Sequence, residues 1–208
     1  MEHTVKKWIL MAALMAGLSA GARADDGILL QRIVSLESRL TELEAKLAPV
    51  LEEERVKGVV KQQKALARER MMMDAEIYQR HDLNIIEKLY QTINEDWTSE
   101  NARKAVDILN ERYPRANRTG CALLYLGQMT SGNEQLDHLK AAIERHGGCR
   151  YDDGVQVGAY ARLYLAMRLK KDGKHEDAAE LFEEIRTAFP DAVDHKGQLL
   201  TIHLKGME

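Results

Sequence analysis

Seven apolar residues, Leu29, Ile33, Leu36, Leu40, Leu43, Leu47 and Val50, follow one another in steps that alternate between four and three. A straight helix repeats every ~3.6 residues, so a strict repeat of about 3.5 keeps its apolar seam only by supercoiling around a partner. In heptad terms Ile33, Leu40 and Leu47 stand at a, and Leu29, Leu36, Leu43 and Val50 at d. In a parallel neighbour, Arg32 and Arg39 at g meet Glu37 and Glu44 at e, opposite in sign each time. Each exposed pair adds about 0–1 kcal/mol and therefore sets register. Burial of the seam, at about 1.5–3 kcal/mol per side chain, drives association. Leucine at a is not the β-branched choice of dimers, and no asparagine stands at a, which favours a trimer over a dimer. The alternative is the apolar face of one helix folded onto its own domain. Pro49 lacks a donor and clashes with the preceding turn, so it is expected to end the pattern.

The segment before this seam has the grammar of a secretory signal. Lys6 and Lys7 are its positive region, Trp8 to Leu18 its apolar stretch, and Ala22-Arg23-Ala24 offers small residues for cleavage after Ala24. The apolar stretch is short for a membrane span, although an uncleaved anchor is the competing reading. No cysteine lies near the cut, which excludes a lipid-modified N-terminus. The chain is therefore expected to be exported. The chain of 208 residues is 45% hydrophobic and 30% charged, with 5% aromatics and three prolines. That mix favours helices and allows a modest core plus an extension. A formal net charge of -3 provides none of the basic surface that nucleic acid requires.

The expected fold is all-α: a parallel coiled coil over residues 27–50, a helical linker over 51–97, and an array of helical hairpins over 98–208. Within the linker, Arg55 to Arg70 is strongly basic, while Val56, Val59, Val60, Gln63 and Leu66 trace one helical face. Two readings compete: a solvated face continuing the helix, or a contact for anionic lipid or an acidic partner. Membrane contact is thus compatible with the chain but not required. Met71-Met72-Met73 reads as packing or exposed helix. Ile77, Ile85, Ile86, Leu89 and Ile93 predict a helix that packs onto the C-terminal array.

Beyond residue 98 the pattern repeats. In "AYARLYLAMRLKKDGKHEDAAELFEEIRTAFP", two helical stretches flank a turn at Gly173, with Leu165, Ala166 and Leu169 facing Ala178, Ala179, Phe182 and Ile185. A weaker copy runs through "KAVDILNERYP", "CALLYLGQM" and "NEQLDHLKAAIERHGG", with "GGCRYDDG" as an insertion between copies. These stretches resemble tetratricopeptide repeats, with Ala166, Ala178, Phe182 and Pro190 at matching positions; Arg162 and Leu169 replace the aromatic residues of the first helix. That resemblance implies a concave groove with Leu124, Gln128, Tyr160, Leu163, Met167, Lys170 and Lys171 as its facing residues, the two lysines pointing to an acidic ligand. Leu124, Leu163 and Met167 read equally well as core.

Cys121 begins one helix and Cys149 lies past the end of its antiparallel partner. In an exported protein such a pair is expected to form a disulfide, with two free thiols or a redox pair as alternatives. His81, His138, His146, His175, His195 and His203 form no metal-binding spacing, and no nucleophile or phosphate-cradling motif stands out. No metal, cofactor or catalytic residue is expected. Asn117-Arg118-Thr119 is a formal glycosylation sequon.

A signal segment, a short leucine coiled coil, a linker helix and terminal repeats resemble the periplasmic cell-division coordinator family of the Tol-Pal system. The repeats here are fewer and carry an insertion, and the coiled coil lacks polar layers. The resemblance implies a non-enzymatic scaffold that trimerises and binds a protein partner of the cell envelope through its repeats. An assembly factor for another envelope machine, such as secretion or outer-membrane biogenesis, is the alternative.

Overall fold

The computed structural model describes residues 25–207, so the expected signal segment at 1–24 lies outside the described residues. Those residues are all-α, with isolated bridges in place of strands. They divide into one unit ending at Glu52 and another beginning at Glu53. Helix α1 (Asp25–Ile77) contributes to both.

In the first unit the seam residues are all exposed, from 43% at Ile33 to 60% at Leu36. Leu30 and Leu51 are exposed beside them. Pro49 does not end the helix; it lies inside α1. Proline removes one backbone donor, and here the freed carbonyl is on an exposed stretch where water can satisfy it. Pro49 also falls at heptad position c, away from the seam. Among the described residues no helix is long and apolar enough to cross a membrane.

The second unit continues with α2 (Arg80–Glu95), α3 (Glu100–Arg112), α4 (Asn117–Met129), α5 (Gly132–His146), α6 (Val157–Lys171), α7 (His175–Ala188) and the short α8 (Leu200–His203). Consecutive helices pack as pairs, α2 with α3, α4 with α5 and α6 with α7, and each pair also touches the next. Local chemistry sets the boundaries. The Ser99 hydroxyl caps α3 by accepting from Ala102 N at 3.0 Å. Gly173, at φ 80, makes the left-handed turn between α6 and α7.

Small residues permit the close crossings. A Cβ on Gly127 would lie 2.6 Å from Leu139 Cδ2, and one on Gly158 would lie 2.7 Å from Gly147 Cα. Helix α4 is buried on most sides, through Cys121, Leu123, Leu124 and Leu126, and forms the centre of the larger core. A second cluster joins Leu163, Ala166, Ala178, Phe182, Ile185, Leu200 and Leu204.

The basic stretch of α1 is solvated on one flank and buried on the other. Val59, Gln63, Ala67 and Asp74 are buried, with Val56, Val60, Leu66 and Arg70 partly so. Val59 packs with Val193 and Leu199. Polar groups complete the face. Arg150 Nη1 donates to Gln63 Oε1 at 2.6 Å, and Arg70 Nη1 donates to Asp74 Oδ1 at 2.6 Å. Asp74 Oδ2 also accepts from Asn117 N at 2.8 Å, satisfying a free donor at the start of α4. The Asn117 side chain is locked in both directions against Arg150, donating to its carbonyl at 2.7 Å and accepting from its N–H at 2.8 Å. With its amide buried and bonded, Asn117 is not an available glycosylation site in the folded chain.

This buried polar face has two consequences for stability. Asp74→Ala leaves the Arg70 guanidinium without its buried partner and should lower unfolding stability by about 3 kcal/mol; a denaturant-midpoint change equivalent to less than about 1 kcal/mol would contradict that role. His146 is buried, and burial together with the Arg145 and Arg70 cations pushes its pKa from 6.5 down to about 4. The fold therefore holds it neutral while the unfolded chain binds a proton. Stability contributed by this site is present above pH 6.5 and is lost as pH falls towards 4, at about 1 kcal/mol per unit. Equilibrium unfolding across that window should show a shallower slope in His146→Gln, whatever its absolute stability.

Candidate binding strip

The most chemically varied part of the second unit is built by two tight turns lying beside α4 and α6. Arg150 bridges to Gln156 in the first turn, and Val193 to Leu199 in the second. In each, a glycine N–H closes the bend: Gly154 N donates to Tyr151 O at 2.9 Å, and Gly197 N to Asp194 O at 3.0 Å. Tyr151 N donates to Val155 O and Asp194 N to Gln198 O in the same register. Both glycines adopt positive φ, 100 and 75 degrees. Aspartate side chains stiffen the bends. Asp153 Oδ1 accepts from Val155 N, while the buried Asp194 Oδ1 accepts from Lys196 N and Gln198 N, both at 2.8 Å. The segment that reads as an insertion is therefore one of two copies of a turn that precedes a helix.

The turns set Tyr151, Asp152, Asp153 and His195 against helical residues. His195 Nδ1 lies 2.7 Å from Asp153 Oδ2, in an ion pair or neutral hydrogen bond according to its protonation. Its ring meets Tyr151 edge-on at 5.0 Å and Tyr160 at 5.3 Å. Tyr160 and Tyr164, one turn apart on α6, pack edge-to-face at 5.3 Å. Tyr151 Oη donates to Cys121 O at 2.7 Å. At the other end, Arg118 Nε donates to Glu87 Oε2 at 2.8 Å and Nη1 to Asp152 Oδ1 at 3.1 Å. Its guanidinium sits 4.7 Å from the Tyr90 ring centroid.

These surroundings fix the charge states. Burial works against the Arg118 cation, but the hydrogen bond and charge of Glu87, with Asp152 behind, raise its pKa overall. Burial works against the Glu87 carboxylate as well, and hydrogen bonds from Gln91 and Arg118 bring its pKa below the usual value. Burial pushes Tyr90 up to about 12 and raises Tyr151 well above the ordinary range. Burial, followed by the adjacent Tyr164, raises Tyr160 too. The strip thus offers neutral phenol rings between a fixed cation and a His–Asp pair. Among the described residues no serine or cysteine is bonded to His195, and no cluster of three His, Cys, Asp or Glu is placed to hold a metal. Ring faces, ring edges and fixed hydrogen-bonding groups suit recognition of a polypeptide surface.

Of the groove residues expected from sequence, Tyr160 joins this strip and half-buried Gln128 lies on α4. Leu124 and Leu163 take the core alternative and do not line a groove: Leu124 is fully buried in the central cluster and Leu163 is buried in the second. Met167 is 46% exposed. Lys170 Nζ donates to Met207 O at 2.8 Å, while Lys171 is exposed. Tyr151, Tyr164, His195 and Arg118 are strip residues that the repeat pattern does not indicate. Tyr164 is legible as the residue one turn after Tyr160; the turn residues have no periodicity to reveal them.

The expected cystine is not formed in the structure. Cys121 and Cys149 are both buried free thiols. Each has another partner: Cys121 Sγ points to Arg150 O at 3.5 Å, and Cys149 Sγ accepts from Arg70 Nη2 at 3.9 Å. Burial raises both thiol pKa values, with Arg70 opposing the rise at Cys149.

No family model, no curated protein and no solved structure matches the chain.

The turn that carries Asp153 leaves no room for a side chain at Gly154. A Cβ there would stand 3.0 Å from Gln63 C and Lys64 N, with φ already in the left-handed region, whereas a Cβ on Gly173 meets open space. Gly173→Ala should cost about 1 kcal/mol and Gly154→Ala about 2–4 kcal/mol. Denaturant melts of the two variants check the order; equal losses would contradict the tight seating of this turn.

Proposed function

We propose that the protein is an exported, self-associating scaffold that binds a protein partner of the cell envelope through its second unit. The observation that carries this reading is the exposure of Leu29, Ile33, Leu36, Leu40, Leu43, Leu47 and Val50 on a single heptad line. A row of apolar side chains that long is costly to leave in water, and its period fits a supercoiled partner. The g and e charges favour a parallel arrangement, and the composition of the a positions favours three chains.

The paired helices of the second unit, with small residues at their crossings, support a tetratricopeptide-like array. The tyrosine–histidine strip, with Tyr151, Tyr160, Tyr164 and His195, supports polypeptide recognition. Clustering several such strips lets individually weak contacts act together. The signal-like residues 1–24 support export, and the order of parts supports a role in cell division or envelope maintenance.

Sedimentation equilibrium over a broad concentration range tests the scaffold. The expected result is a concentration-dependent trimer that becomes monomeric in Leu36→Asp/Leu43→Asp, with the thermal unfolding of the second unit unchanged. Monomer at every concentration would overturn the reading. Cross-linking in envelope extract should give a partner set that Tyr160→Ala/His195→Ala loses and that the monomeric variant holds at least about 100-fold more weakly.

A further inference from the structure

The heptad line of the seam does not stop at Val50. Carried on without a skip, it places Glu54, Lys61 and Arg68 at a, and Lys57 and Lys64 at d. Apolar side chains thus give way to cations along one line of α1. Lys61, Lys64 and Arg68 are exposed, whereas Val59, Gln63 and Ala67 on the other side of the same turns are buried in the chain's own core. Lys57 is neutralised within the chain by Glu53 and Glu54, both at 2.8 Å. Lys61, Lys64 and Arg68 have no ion pair among the described residues. They stand three and four residues apart, where like charges on one helix repel. Other copies cannot relieve them by the rule the seam follows. There the e positions carry Glu37 and Glu44, but e and g beside the row are Gly58, Val60, Ala65 and Ala67.

We infer that Lys61, Lys64 and Arg68 of associated copies converge into a site for a multivalent phosphate-type oxyanion, which no single chain completes. The inference rests on the parallel association proposed above, since side chains at a and d of a parallel coil turn towards its axis. Three cations from every copy then face one another with no carboxylate among them. Left alone, their repulsion drives the helices apart beyond the seam; an anion of several charges between them replaces it with attraction. From Lys61 to Arg68 the layers span about 10 Å, at ~1.5 Å per residue, so the site is a narrow column. Neither a folded acidic protein nor a flat bilayer enters such a column, but linked phosphates do. The Arg68 guanidinium is a fork suited to two phosphate oxygens, and the lysines serve as point charges. Long stems let these groups reach the anion without the close helix packing of the seam. A ligand bound only by associated copies tightens their association by mass action, so the row couples anion binding to assembly.

Sedimentation equilibrium of the full chain tests the inference, in sodium chloride with and without tripolyphosphate at matched ionic strength. Tripolyphosphate should tighten association by about 10-fold or more, and calorimetry should count a single tripolyphosphate per oligomer. Lys61→Gln/Lys64→Gln/Arg68→Gln should associate in chloride at least as tightly as the native chain and ignore tripolyphosphate. Lys88→Gln/Lys140→Gln/Lys205→Gln, which removes the same charge from exposed sites elsewhere, should respond as the native chain does. Leu36→Asp/Leu43→Asp, which keeps the copies apart, should lose the calorimetric signal. Circular dichroism melts confirm that each variant folds. An oligomer indifferent to tripolyphosphate, equal responses from the two triple variants, or one anion bound per chain would overturn the inference and leave the scaffold reading standing. Absence of any oligomer would overturn both.

Discussion

Asp74 is the constraint on which the second unit depends. A carboxylate is costly to bury alone, and here its charge is met by Arg70 and by the free N–H at the start of α4. One side chain therefore decides where α1 ends its contact and where α4 begins. Asn117 and Gln63 extend the same logic, each bonding Arg150. The result fixes which face of residues 56–74 is inside. It also fixes which face is outside, since a helix with one side buried presents the other to solvent.

The repeated turn has a comparable role at the strip. Gly154 lies against Gln63, and Gly197 against Val60, so the two bends approach successive turns of one helix. Their backbones cannot move without disturbing α1. That rigidity lets Asp153, Tyr151 and His195 hold a defined arrangement with Tyr160. Fixed rings and prepaired charges lose little freedom on binding, which favours recognition by shape and edge chemistry.

Much of this organisation is legible in residue spacing. The alternation of four and three locates the exposed seam, and helical periodicity locates the stretches that form α3 to α7. Hydrophobic spacing is less informative about which apolar side faces what. Leu124 and Leu163 read equally as groove or core, because a period of about 3.6 does not separate the sides of a helix that packs on more than one of them. Gln63 is legible on the face traced by Val56, Val59, Val60 and Leu66, whereas nothing in the local pattern marks Asp74 as buried, because its contact with Asn117 is distant in sequence. The strip is partly hidden for a different reason: the turns at 151–155 and 194–198 share a fold of the backbone but few side chains, and loops carry no period to count. Pro49 reads as a breaker of α1, yet the helix continues through it at an exposed c position, where water can satisfy the freed carbonyl.

The central claim is that α1 holds two apolar faces with different fates, one buried within the chain and one reserved for other copies. Hydrogen exchange read by mass spectrometry at low and high protein concentration tests both at once. Amides across 28–51 should gain protection as concentration rises, while those across 56–74 should be equally protected at both. Protection of 28–51 that is already complete in dilute protein, or still missing in concentrated protein, would contradict the account.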